Sequence, residues 1–219
     1  MSQLTFKFPF KTVYYEQDYY VSSNNFSAYR LIENWPNWPD KWVNIFGPHG
    51  CGKTHLSNIL KKKIESSEII SARDVDENSI TKFSKLKCII IDDYDSNISE
   101  NLFYSVINQS KQLNSFILVN SEKPIKDLNF ELEDLKSRAK SFINLGIELP
   151  TDELLRVIIS KYFSDKQINI SPKISEYIIR NIDRSYEKVF KFIKEIDDLS
   201  LSSGKSININ LIKKVLGNE

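Results

Sequence analysis

The stretch GPHGCGKTH, Gly47 to His55, constrains this chain more than any other. Gly47, Gly52, Lys53 and Thr54 satisfy the spacing G-x-x-x-x-G-K-[ST] of a phosphate-binding loop. The spacing follows from the chemistry. Backbone N–H groups must wrap round an anion, so Gly50 and Gly52 supply conformations that a side chain would block. A helix starting at Lys53 turns the positive end of its dipole towards that anion. Lys53 reaches the β- and γ-phosphates, and the Thr54 hydroxyl can ligate Mg²⁺. The whole run Gly47, Pro48, His49, Gly50, Cys51, Gly52, Lys53, Thr54 and His55 is therefore the candidate binding stretch for ADP or ATP. The apolar run Val43 to Phe46 predicts the strand that delivers the loop.

Downstream, short apolar runs alternate with helical patterns. Strands are expected at Glu68 to Ala72, Lys87 to Ile91, Ser115 to Val119 and Ile143 to Leu149. Helices are expected at about 24–34, from Lys53 to about Ile64, from Ser99 to about Leu113 and over roughly 131–141. Continuous apolar strands alternating with helices indicate an α/β fold with a parallel five-stranded sheet flanked by helices. The strand KCIII ends in Asp92 and Asp93. Carboxylates at the C-terminal end of a parallel strand lie at the ligand crevice. Asp92 is the candidate second Mg²⁺ ligand, and Asp93 the candidate group that orients or deprotonates an attacking water. An acidic strand end is also a common structural feature.

Beyond Pro150 the pattern is helical only. Helices are expected from Thr151 to about Phe163, from Ser171-Pro172 with serine as cap, from Tyr186 to Leu201 and from Ile209 to Leu216. The boundaries are then a peptide at 1–10, a core at 11–150 and a helical domain at 151–219. Thirty basic and 29 acidic residues leave a net charge of +1, without the basic stripe of a dedicated DNA binder. No apolar run is long enough for a bilayer, no signal peptide is evident, and Cys51 and Cys88 lack metal-ligand spacing. These features predict a cytoplasmic protein without a membrane partner.

Three stretches resemble the DnaA-related AAA+ ATPases: GPHGCGKTHL, FILVNSEKPIKDL (116–128) and LKSRAKSFINLGIELPTDELLRVIISK (135–161). The resemblance implies an AAA+ P-loop core followed by an α-helical lid. It places sensor 1 on Asn120 or Ser121 and an arginine finger on Arg138. Within that family the chain is similar to the Hda (HdaA) branch, which inactivates the replication initiator DnaA. Such proteins carry a short N-terminal motif for the β sliding clamp of DNA polymerase III. QLTFKF matches it with Gln3, Leu4, Phe6 and Phe8, with Lys7 where proline is common. The same residues suit an edge strand packed on the protein's own sheet. Two positions depart from the family pattern: Asp134 replaces a second arginine, and Glu187 falls where the lid's sensor 2 arginine is expected. The latter points to ADP as the natural ligand and to weak ATP turnover.

The initiator's helix-turn-helix domain has no counterpart before Glu219, so DNA contact is expected only through the clamp, which would associate the protein with the nucleoid. The resemblance thus implies a negative regulator that presents Arg138 to ATP on DnaA. The alternative is a self-contained AAA+ ATPase, a helicase loader or initiator-like motor, that assembles through Arg138 as a homo-oligomer. A small-molecule kinase is a third reading, for which the helical tail offers few basic residues.

Overall fold

The computed structural model describes residues 14–94, 98–204 and 206–217. These fall into two compact units, Tyr14–Glu148 and the helices from Leu149 onward. In the first unit the order is α1 (Phe26–Glu33), β1 (Trp42–Phe46), α2 (Lys53–Lys63), β2 (Ser67–Ser71), α3 (Glu77–Phe83), β3 (Cys88–Tyr94), α4 (Glu100–Leu113), β4 (Phe116–Ser121), α5 (Glu133–Ala139) and β5 (Ile143–Gly146). All strand pairs are parallel, in the spatial order β2-β3-β4-β1-β5.

Side chains alternate across a strand, and the sheet uses both faces. Ile89, Ile91, Ile117 and Val119 join Phe83 of α3, Phe103 of α4 and Leu135 of α5 in one core. Val43, Ile45, Ile90 and Leu118 are equally buried and point the other way, the side covered by α1 and α2 with Ile32, Leu56, Ile59 and Leu60. The near-continuous apolar strands of the sequence therefore reflect helices on both faces.

Several elements differ from the sequence reading. β3 runs on through Asp92 and Asp93 to Tyr94. β5 stops at Gly146 because the chain changes partner: Ile147 N–H still donates to Phe46 O (2.8 Å), but Glu148 N–H donates to Asn24 O (3.1 Å). The short helix α3 was not expected. It starts with a reciprocal cap in which Asp76 accepts from Ser79 N–H (2.8 Å) and Ser79 Oγ accepts from Asp76 N–H (3.2 Å).

The second unit contains α6 (Asp152–Asp165), α7 (Pro172–Asn181), α8 (Tyr186–Ser203) and α9 (Ile209–Val215). Leu155, Ile159 and Phe163 of α6 pack with Ile178, Val189, Ile193, Ile196 and Ile212. Thr151 caps α6 by accepting from Leu154 N–H (3.2 Å). Ser171 makes no side-chain cap, contrary to expectation; its carbonyl takes the first helical amide of α7 instead. Asp197, 1% exposed, is balanced by the Lys166 ammonium, which also lies over the Tyr162 ring.

A buried asparagine ties β1 to β4 on the α4/α5 face. Asn44 Nδ2 donates to Val119 O (2.9 Å) and Ser121 Oγ (2.8 Å), and its Oδ1 accepts from Ile125 N–H (3.0 Å). Asn44→Leu removes all three bonds and strands a buried amide. Chemical denaturation should show a loss of about 2–3 kcal/mol, and an unchanged midpoint would contradict this role.

Candidate functional site

The loop after β1 forms a cradle whose shape depends on glycine. Gly50 and Gly52 have φ of +79° and +102°. A Cβ at Gly52 would lie 3.0 Å from Tyr19 Cε2, and one at Gly47 would lie 2.5 Å from Ile147 O. Cys51 N–H closes the turn onto Pro48 O (3.3 Å), and the first bond of α2 runs from Leu56 N–H to Gly52 O (3.0 Å). The amides of Lys53, Thr54 and His55 precede that bond, which is the arrangement that binds anions at a helix start. The Lys53 ammonium is nearly buried. It donates to Gly47 O (2.7 Å) and Pro48 O (3.1 Å) and sits 3.9 Å from Cys51 Sγ. These partners are all uncharged, so the ammonium is held by neutral groups rather than by an ion pair among the described residues.

A carboxylate stands at the end of β3, with β4 between it and β1. Asp92 is buried; its Oδ1 accepts from Asn120 Nδ2 (2.7 Å) and from Asp93 N–H (3.2 Å). Pairing between β3 and β4 is irregular between Ile91 and Tyr94. There Asp93 adopts φ +55°, which turns its side chain out to solvent. Asp93 lines a cavity of about 150 Å³ with His49, Lys53, Arg73, Tyr94, Ser121 and Glu122. Sequence reasoning left Asn120 and Ser121 as alternatives, and the two have different partners. Asn120 contacts Asp92, while the Ser121 hydroxyl accepts from Asn44 and donates to Lys123 O (2.6 Å).

These residues fit a magnesium ion. Asp92 has one oxygen engaged by two donors and a second without a partner among the described residues. Thr54, second residue of α2, adds a hydroxyl. Hard oxygen donors of this kind, few in number, suit Mg²⁺ held mainly by phosphates and water. No cluster of three or more His, Cys, Asp or Glu among the described residues forms a metal cage.

The segment before α1 adds an aromatic wall that sequence reasoning passed over. His55 Nε2 lies 2.7 Å from Tyr15 O, and its ring packs against Tyr14 (5.2 Å) and edge-on against Tyr19 (5.3 Å). Tyr19 stacks in turn on Tyr29 of α1. His55 thus ties this segment to α2. Burial, and then the charges of Asp92 and Asp93, push the Tyr14 phenol above its ordinary range, so this ring lies within their field. The only signal in the sequence was the density of tyrosines at 14, 15, 19 and 20.

Arg138 lies elsewhere. Its guanidinium sits over the indole of Trp42 (5.8 Å), the first residue of β1, whereas the cradle follows the last. Five strand residues separate the two by about 13 Å. Trp42 is itself held by its indole N–H, which donates to Ser110 Oγ (2.8 Å). Arg138 shares a cavity of about 780 Å³ with Lys41, Lys111, Trp38 and Trp42. Asp134 is exposed on the same helix as Arg138. In the helical unit Glu187 is exposed on α8, and the cations beside it are paired: Arg184 with Asp152 (3.0 Å) and Lys188 with Asp183. The stretch containing Gln3, Leu4, Phe6 and Phe8 lies outside the described residues. No helix among the described residues is long and apolar enough to cross a membrane.

A family model described as RNA helicase matches residues 43–134. The chromosomal replication initiator protein DnaA of Buchnera aphidicola subsp. Cinara cedri is 26% identical over 218 residues, covering 87% of this chain and 48% of that protein. The chain thus spans about half the length of such curated relatives. Domain III of the Thermotoga maritima DnaA superposes with a TM-score of 0.78 at 17% identity, covering 96% of this chain and 98% of that one. AMPPCP-bound DnaA from Aquifex aeolicus gives a TM-score of 0.69 at 18% identity, over 86% of this chain and 66% of that one. The fold is the one seen in domain III of the Thermotoga maritima DnaA.

Gly52→Ala places a side chain on a left-handed residue and against the Tyr19 ring. Titration with a fluorescent adenine nucleotide should show affinity lowered by tenfold or more, on the order of 1.4 kcal/mol; retention of full affinity would show that the cradle tolerates a side chain there. The thiols provide a second check. Burial pushes the Cys88 thiol up to about 12 and outweighs Lys53 in raising that of Cys51. A raised thiol is mostly protonated at neutral pH and hence a poor nucleophile. Iodoacetamide should modify neither cysteine in the folded protein and both after unfolding; native labelling of Cys51 would overturn this.

Proposed function

We propose that this chain is a nucleotide-binding regulator of chromosome replication that acts on ATP held by the initiator DnaA. The cradle takes ADP or ATP, with phosphates on the loop amides and Lys53. The rings of Tyr14 and Tyr19 offer a surface against which a base can stack. Magnesium, when bound, would be held by Thr54 and Asp92 and would neutralise phosphate charge. Asn120 orients Asp92, and Asp93 faces the cavity beside Lys53.

The observation that carries the regulatory reading is the position of Arg138. It stands at the opposite end of β1 from this chain's own cradle. A planar, permanently charged guanidinium suits the charge developing on a transferred phosphoryl group. From that edge, Arg138 would serve a nucleotide on another molecule. The paired Arg184 and Lys188, with Glu187 between them, support weak turnover by the chain itself. The stretch QLTFKF supplies the clamp-binding peptide in this reading, and the clamp brings the protein to DNA.

The Asp92–Asn120 pair supports a second reading, a self-contained ATPase that assembles through Arg138 onto the cradle of another copy. Single-turnover hydrolysis of labelled ATP preloaded on DnaA, with clamp on DNA, separates the two. The regulator should accelerate hydrolysis; Arg138→Ala should remove a factor of about 10³ or more. Gln3→Ala with Phe6→Ala should abolish clamp binding, and with it the acceleration, while leaving the melting temperature unchanged. Steady ATP turnover by this chain alone, lost in both Lys53→Ala and Arg138→Ala, would instead establish the motor.

A further inference from the structure

A buried hydrogen-bond relay joins the helix that carries Lys53 and Thr54 to the carboxylate on β3. The Asn120 amide has two hydrogens, and both are used: one goes to Asp92 Oδ1 (2.7 Å), the other to Ser57 Oγ (2.7 Å). Ser57 and Asn120 are fully buried, and Asp92 is 7% exposed. We propose that Ser57 is a positioning residue for the magnesium-binding carboxylate, acting through Asn120. This rests on the reading of the cradle as a nucleotide·Mg²⁺ site.

Three observations carry it. The first concerns orientation. An ionised carboxylate only accepts, so Asn120 must present its NH₂ group to Asp92. Its own Oδ1 is left buried and without a partner among the described residues. An unpaired buried carbonyl is costly, so the carboxylate, rather than the needs of the amide oxygen, dictates this orientation, and Ser57 receives the second amide hydrogen. Of those two, Ser57 is the one that belongs to the nucleotide-binding helix.

The second concerns Ser57 itself. Its neighbours Leu56, Ile59 and Leu60 fill the core beneath α2. Burial alone would be served by alanine or another apolar residue at 57. A hydroxyl in the interior of a helix commonly bonds back to its own backbone or points to solvent. This one receives a side chain from β4.

The third concerns the metal side of Asp92. With Oδ1 engaged by Asn120 and by Asp93 N–H, the other oxygen is the one left for a cation. Groups that orient a metal-binding carboxylate from behind commonly govern its affinity, and their loss costs about 10–100-fold. Without the Ser57 hydroxyl, Asn120 keeps one anchor instead of two and can rotate, and Asp92 loses its fixed partner. The predicted defect is specific: contacts of the phosphates with the loop and Lys53 do not pass through Ser57.

The test is binding of a fluorescent ADP analogue, first in chelator and then across a Mg²⁺ titration, for the wild-type chain, Ser57→Ala and Ser57→Thr. Ser57→Ala should bind as wild type in chelator but need about tenfold more Mg²⁺ for half of the metal-dependent gain. Ser57→Thr, which keeps the hydroxyl, should restore the wild-type midpoint. An unchanged midpoint in Ser57→Ala overturns the proposal. So does equal weakening with and without metal, which would mark Ser57 as part of the helix packing only. A wild-type chain that binds no nucleotide under either condition would instead remove the cradle reading itself.

Discussion

Ser121 stands level with Phe46 on β1 and with Tyr94 on β3. That common end point of three parallel strands is the constraint on which the rest of the site depends. Phe46 leads directly into the phosphate loop, Asp92 and Asp93 precede Tyr94, and Asn120 precedes Ser121. A slip of one residue would turn each of these side chains to the other face. Apolar packing on both faces resists such a slip, and Asn44 adds a polar lock by bonding Val119, Ser121 and Ile125 from the middle of β1. The geometry of the site is therefore set in the core, one or two residues behind the groups proposed to contact a ligand.

The site keeps its two central charges apart. Lys53 bonds to loop carbonyls and Asp92 to the Asn120 amide and a backbone amide. A direct pair between them would neutralise both and leave little attraction for a ligand. Holding each on neutral partners costs desolvation energy. On the proposed reading, a phosphate would find a cation and a metal a carboxylate without first having to break an ion pair.

Much of this was legible in the sequence because backbone requirements leave a strong trace there. The glycines of GPHGCGKTH mark positive φ, and the apolar runs mark strands covered on both faces. What was not legible depends on contacts between distant residues. The different partners of Asn120 and Ser121 depend in part on Asn44, a polar residue inside the run Val43 to Phe46. The end of β5 turned on Asn24, a residue of the segment before α1. Helix α3 is too short for a periodic signal, and its cap uses Ser79 where glutamate or glutamine is the stronger cue. The tyrosines at 14 and 19 have no spacing that points to α2. Ser57 carries no signal at all, since a serine beside leucines on a helix is unremarkable until its partner is seen.

The separation of Arg138 from the cradle has a consequence for stoichiometry. The two edges of the α/β unit differ in chemistry, one offering a guanidinium over an indole and the other a lysine held on loop carbonyls. A contact that brings one edge to the other in a second molecule is heterologous, and it leaves an unused edge of each kind at its ends. Copies joined in this way have no built-in stopping point unless their rotation closes a ring. A molecule that matches only one of the two edges would terminate the row. The length of any such assembly would then be set by the ratio of matching to terminating molecules rather than by the strength of a single contact.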